Sequence, residues 1–338
     1  MSDSSSTPSI GTGDVCMLPI QLNKSMFMRA EHTPPSAWAG HIPFAGWLVE
    51  ATQPAMIVEL GTHYGTSYLA LCQAVEANGL PTRCFAVDTW EGDEHAGVYG
   101  EGIYSQLQSY HARKYGGFSR LMRMTFDDAV GYFDDDSIDL LHIDGLHTYD
   151  AVRHDFETWL PKLSRRGVVI FHDTSVRERE FGVWRFWSEI SKRYPSYEFV
   201  HTHGLGVLAV GEDIPSQLQA LLEATDEEGR LLVNQMFESL GRIVDADVEI
   251  ERLNRALAHE QGLRREDRAA TVGTTGANDV LRDEIKFSVD AIRHDIVVVR
   301  DELLATSREA AEQGRQMSES GLTTLLSDQS RGTRTPSD

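Results

Sequence analysis

Residues 55–67, AMIVELGTHYGTS, limit the fold more than any other part of the chain, because they run from an apolar strand through a glycine turn into a helix. Met56, Ile57, Val58 and Leu60 form a short apolar run between Pro54 and Gly61, the pattern of a parallel strand covered on both faces. Leu69, Cys72 and Val75 then recur at helical spacing until Asn78-Gly79 ends the helix. Such a turn presents backbone N–H groups to a ligand and keeps side chains out of the way.

The spacing is Glu59-x-Gly61-x-x-x-Gly65, with Thr62 inside the turn. It differs from the G-x-G-x-x-G of dinucleotide binders, whose close glycines admit a pyrophosphate. Glu59 at the strand end would repel a phosphate but attract a cation or accept from an amine. That points to S-adenosylmethionine, which carries an ammonium group and a positively charged sulfur. Residues 83–87 read as a second strand ending at Asp88, followed by Thr89, the place where α/β folds hold a ribose hydroxyl pair. Residues 120–124 read as a third strand, after which Phe126 and Asp127 are placed to sandwich an adenine ring and accept from its amino group. A surface Asp88 that merely ends a strand and an Asp127 that merely caps a helix are the plain alternatives.

With 338 residues the chain has room for one large domain plus an appendage, or two domains. A formal charge of −21 argues against nucleic acid as a partner, since phosphate neutralisation needs basic surface. No apolar run is long enough to span a bilayer, and the N-terminus lacks a basic region followed by an apolar one, so a cytoplasmic location is expected. Cys16, Cys72 and Cys84 show no C-x-x-C spacing, and the last two fall on apolar positions, as buried reduced thiols do.

The expected division is a disordered tail over 1–14, a cap segment over 15–54, the sheet domain over 55–211, a helical and coiled-coil region over 212–310, and a disordered tail over 311–338. In the cap, Phe44, Trp47 and Leu48 mark a short helix; residues 89–117 form a long insertion suited to a lid over an acceptor pocket. The fourth strand is 138–143, and a helix with Val152, Phe156, Trp159, Leu160 and Leu163 on one stripe follows. Gly167 introduces a fifth strand, VVIF; after a helix containing FGVWRFW, residues 197–200 and 206–210 form a hairpin-like pair. The alternation predicts an α/β fold with a doubly wound, seven-stranded Rossmann-like sheet. Beyond Gly211, Met236, Ile243, Ile250 and Leu257 repeat every seven residues. The run Ile285, Val289, Ile292, Ile296, Val299, Leu303 steps by four and three as a coiled-coil seam does, which predicts a homo-oligomer joined through these helices.

Two strand ends then converge, with Asp144 and His147 after the fourth strand and His172 and Asp173 at the fifth. Neighbouring parallel strands lie about 4.8 Å apart and ligands sit outside their carboxyl ends, so these four side chains can reach one point. Asp144, His172 and Asp173 offer ligands for Mg or another divalent ion, and His147 stands to take a proton from a hydroxyl activated there. A metal-free version, with Asp144 or His147 alone as base, is the alternative.

The segments VELGTHYGTS, VDTWEGDEHAGVYG, DLLHIDGLHTYDAVRHDFETWLPKL, GVVIFHD and FGVW together resemble a class I S-adenosylmethionine-dependent methyltransferase over about residues 36–211. The resemblance is to the branch found beside or fused to glycosyltransferases in bacterial polysaccharide loci. It extends, more distantly, to metal-dependent macrolide-sugar O-methyltransferases with a D-G-x-H segment. It implies Glu59, Gly61 and Gly65 at the methionine end of the cofactor, Asp88 at its ribose, Asp144 and Asp173 on a metal, and His147 as base. Metal-dependent relatives often carry an acidic residue where His172 stands. The implied activity is O-methylation of a sugar hydroxyl on a glycan or glycosylated metabolite, or on another small hydroxylated acceptor. A non-catalytic scaffold in a polysaccharide assembly complex is the reading from another class; the missing G-x-G-x-x-G disfavours a nicotinamide dehydrogenase, and the alternating pattern disfavours a phosphohydrolase built on His172-Asp173.

Overall fold

The computed structural model describes residues 18–34, 36–93, 97–178, 180–224 and 227–270, together with residue 286. Seven strands join in one sheet: β1 (Met56–Leu60), β2 (Arg83–Asp88), β3 (Ser119–Arg123), β4 (Ile138–Ile143), β5 (Leu163–His172), β6 (Ser196–Phe199) and β7 (Leu205–Ala209). Their order is β3-β2-β1-β4-β5-β7-β6. The first five are parallel, and β7 lies antiparallel between β5 and β6. This is the expected doubly wound, seven-stranded sheet. Its strand order reverses between β1 and β4, where the crevice of an open α/β sheet takes ligands.

Eight helices accompany the sheet in the described residues: α1 (Ile42–Thr52), α2 (Thr66–Ala77), α3 (Glu101–Lys114), α4 (Phe126–Ala129), α5 (Tyr149–Trp159), α6 (Val183–Ile190), α7 (Ser216–Leu222) and α8 (Glu227–Ala270). The core is continuous from Val58 and Leu60 of β1 through Leu141 and Ile143 of β4 to Val169 and Phe171 of β5. Cys72 and Cys84 are buried free thiols, as expected.

Three expectations change. Leu163 is not the last member of the α5 stripe: a 3₁₀ turn with Pro161 ends that helix, and Leu163 opens β5, so Gly167 lies inside the strand. The cap helix α1 is buried at every position from Ile42 to Val49, which makes it a core element. In α8 the buried positions include Val233, Phe237, Leu240 and Val244, while of the seven-residue series Ile250 is buried and Met236 and Ile243 are half-buried. Phe237 meets the rings of Phe44 and Phe199, each at 5.4 Å between centroids. Gly241 permits this approach, since a Cβ there would meet the Gly40 carbonyl oxygen at 2.3 Å.

The chain divides into two compact units after Val248, so the opening turns of α8 belong with the sheet. The 285–303 seam and both terminal tails lie outside the described residues.

Candidate active site

A cavity of about 510 Å³ opens at the carboxyl ends of β1, β2 and β4. Its first wall is the turn after β1. Gly61 has φ +87°, and a Cβ on it would stand 2.1 Å from the Asp144 carbonyl oxygen. Only glycine fits there. Gly65, at φ +86°, begins α2, and a Cβ would meet Leu107 Cδ1 at 2.6 Å. Thr62 and Thr66 line the cavity, and their buried hydroxyl oxygens have no hydrogen-bond partner among the described residues. Buried polar atoms in that state are the mark of a site built for a ligand.

Asp88 ties the turn together. Its Oδ2 accepts from the backbone N–H groups of Thr62 (2.8 Å) and His63 (2.9 Å), and its Oδ1 from that of Trp90 (2.7 Å). His63 and Trp90 both hold left-handed backbone, φ +49° and +53°, which these bonds help to impose. Asp88 and Thr89 reach the cavity, where Asp88 Oδ1, with one bond against two on Oδ2, keeps lone-pair capacity for a further donor.

Glu59 is placed differently from the expectation. It is wholly buried and does not line the cavity. Its Oε2 lies 2.7 Å from His142 Nδ1 on β4, and His142 Nε2 accepts from Trp38 Nε1 at 3.2 Å. Burial raises the Glu59 pKa, and the bond to His142 offsets part of that rise. The relay ends at Trp38, which does line the cavity. His142 was missed in the sequence; it is a buried polar residue in the otherwise apolar second half of β4, directly in register with Glu59.

The far wall holds the charged cluster. Asp144, His147 and Asp173 each place one ligand atom within 4.8 Å of the others. His147 Nε2 lies 2.9 Å from Asp173 Oδ2 and 3.6 Å from Asp144 Oδ1. His172 meets the same carboxylates through Nδ1, at 3.3 Å from Asp144 and 3.2 Å from Asp173, and is nearly buried. Burial opposes charge on both imidazoles, but the two carboxylates outweigh it, raising His147 to about 9 and His172 to about 10. The carboxylates are held well below their usual range against burial, chiefly by the charge of His172. His172 thus sits between the two carboxylates as their counter-ion, and the ligand atoms that lie within 4.8 Å of one another are those of Asp144, His147 and Asp173. Residues the sequence reading passed over complete the cluster: His203 Nδ1 lies 2.9 Å from Asp173 Oδ1, and Phe181 stacks on His147 with centroids 4.5 Å apart and planes 8° from parallel. Asp173 itself has φ +61°.

Phe126 lines the cavity as expected. Asp127 also lines it but is 67% exposed and paired with His154 at 2.8 Å. Of the long insertion, Gly92 and Tyr99 reach the cavity, and Tyr99 stacks on His63 at 4.4 Å.

Residues 58–174 match the family model of a methyltransferase domain. Uncharacterized protein y4gI of Sinorhizobium fredii (strain NBRC 101917 / NGR234) is 51% identical over 218 residues, 64% of this chain and 23% of that protein. The chain thus spans about a quarter of the length of the curated relative it matches. Among solved structures, the O-methyltransferase TomG from Streptomyces achromogenes, in complex with SAM, matches with 16% identity and a TM-score of 0.40 over 57% of this chain and 92% of that one. The SAH-bound methyltransferase PaMTH1 of Podospora anserina matches with 13% identity and a TM-score of 0.38 over 53% and 89%. The stretch that matches this family model runs from β1 to the end of β5 and includes the glycine turn, Asp88, Asp144, His147 and Asp173.

Proposed function

We propose that this chain is an S-adenosylmethionine-dependent O-methyltransferase acting on a sugar hydroxyl of a glycan or glycosylated metabolite. The observation that carries the reading is that the glycine turn with Asp88 lines the same cavity as Asp144 and His147, with Asp173 behind them, 2.9 Å from His147 Nε2. The turn and the two unpartnered threonine hydroxyls suit the methionine end of the cofactor, and Asp88 its ribose. Transfer is an in-line displacement, in which the acceptor oxygen bonds to the methyl carbon as the carbon–sulfur bond breaks.

The hydroxyl proton has to leave, and His147 is the imidazole placed to receive it, oriented by Asp173 and by the Phe181 ring. With both carboxylates bearing on it, His147 keeps its own proton up to about pH 9, so the free base is scarce near neutrality. Two carboxylates and an imidazole within 4.8 Å fit a hard divalent cation, held by Asp144 and Asp173. When bound, such an ion supplies Lewis acidity to a hydroxyl and offsets the negative charge that holds the proton on His147. Among the lining residues the exposed ring of Tyr64 suits stacking against a pyranose.

The test is transfer of labelled methyl from S-adenosylmethionine to a panel of free sugars, nucleotide sugars, phenols and amines, with Mg, with Mn, and after chelation. Labelling of sugars that chelation abolishes supports the full reading. Labelling of amines only would overturn the oxygen assignment.

A further inference from the structure

Asp155 is the one buried carboxyl of the cavity that the functions above leave without a task. It stands on α5, is 7% exposed and lines the cavity. No hydrogen bond or ion pair to its carboxyl is found among the described residues. Burial pushes its pKa up to about 7; the neighbouring His154 works against this and Asp127 adds to it. These are the titratable groups that face it, His154 from its own helix and Asp127 from α4.

The position identifies the part of a ligand it would meet. Phe126 and Asp155 come together over Gly145: a Cβ there would stand 2.5 Å from the Phe126 ring and 3.5 Å from Asp155 Oδ2, and all three residues line the cavity. An aromatic ring and a carboxyl are therefore neighbours in one stretch of the cavity lining. Asp127, the residue expected to read an adenine amino group, is turned to solvent and paired with His154. We infer that Asp155 reads the adenine edge of the cofactor, pairing with the 6-amino group and the adjacent ring nitrogen of a base lying against Phe126. A neutral carboxyl does this with two hydrogen bonds: its carbonyl oxygen accepts from the amino group and its O–H donates to the ring nitrogen. An ionised carboxylate keeps the first bond and loses the second. Leaving a buried acid unpaired costs free energy that a matching base edge recovers, which is how a site rejects a base lacking the amino group. This inference rests on the cofactor proposed above.

The experiment is calorimetric titration of the intact protein with S-adenosylhomocysteine and with its analogue in which the 6-amino group is replaced by hydrogen. Wild type, Asp155→Ala and Asp155→Asn are compared, each first checked for an unchanged cooperative melt. The expected result is a loss of affinity of about tenfold or more in Asp155→Ala, with Asp155→Asn within a few-fold of wild type because an amide offers the same donor and acceptor. Removing the amino group should weaken wild type and leave Asp155→Ala nearly indifferent, a coupling that a merely structural aspartate would not show. Wild-type affinity should also fall as pH rises past about 7 while that of Asp155→Asn stays level. Equal binding by wild type and Asp155→Ala, or an equal loss on removing the amino group in both, would overturn the assignment while leaving the methyltransferase reading standing. No binding of S-adenosylhomocysteine by folded wild type would overturn that reading and this inference together.

Discussion

After β1 the cavity wall is made of backbone: two left-handed glycines, an N-terminal helix turn, and an aspartate whose oxygens accept from three N–H groups. After β4 the other wall is made of side-chain charge: Asp144 and His147 line it, and Asp173, His172 and His203 stand behind them. The first wall fixes shape by sterics and by short-range hydrogen bonds from backbone N–H groups. The second has its charge state set by mutual pairing, so protons and cations compete for it. A group-transfer site can use both kinds of wall, one holding a cofactor in a single pose and the other changing its protonation as the acceptor reacts.

The largest effect is expected at the first wall. Gly61→Ala forces a Cβ onto the Asp144 carbonyl and a side chain into left-handed backbone, and should cost on the order of 3–5 kcal/mol of stability, read by denaturant unfolding. An unchanged unfolding midpoint would mean that the turn is adaptable and the contrast between the walls is false. Asp88→Ala comes next. Hydrogen bonds to charged groups contribute roughly 1.5–3 kcal/mol, so losing this acceptor should lower affinity for S-adenosylhomocysteine at least about tenfold with a smaller drop in melting temperature.

At the second wall the prediction is one of pH. His147 and His172, raised to about 9 and about 10 from 6.5, add stability that is fully present below pH 6.5 and lost as pH rises through about 9–10. Unfolding free energy measured in chelator should therefore decline over that window, and Asp173→Asn should flatten the decline. The same slope in Asp173→Asn would mean that the imidazoles draw their stabilisation from elsewhere. The smallest effect is expected from Phe181→Ala, where loss of an aromatic stack of roughly 0.5–1.5 kcal/mol should loosen His147 without unfolding the domain. It should appear as a shifted His147 titration by NMR.

These walls were not equally legible in the sequence. The β1 turn was read directly, because a strand, glycine spacing and helix pattern are local properties of consecutive residues. Asp144, His147, His172 and Asp173 could be brought together from the parallel-strand rule, but the roles within the cluster depend on ring orientation. That is why His172 emerges as a counter-ion and Glu59 as a buried partner of His142. Asp155 carried a signal that went unused: it lies at i+3 from Val152 and i−4 from Trp159, inside the apolar stripe of α5, where a charged residue needs a reason. His203 and Phe181 sit in loops that approach the cluster only through tertiary contacts, and nothing in their local sequence announces it. In α8 the buried positions Val233, Phe237, Leu240 and Val244 step by four, three and four, so they repeat every seven residues just as the series Met236, Ile243 and Ile250 does, and the repeat alone does not say which face packs on the core.

The most direct measurement is calorimetric titration of wild type and Asp88→Ala with S-adenosylhomocysteine in the presence of chelator. If the backbone-made wall is a cofactor site in its own right, wild type binds without any divalent ion and Asp88→Ala binds at least about tenfold more weakly while still folded. Folded wild type that fails to bind, with or without added Mg, would contradict the account and leave a scaffold as the better explanation of the fold.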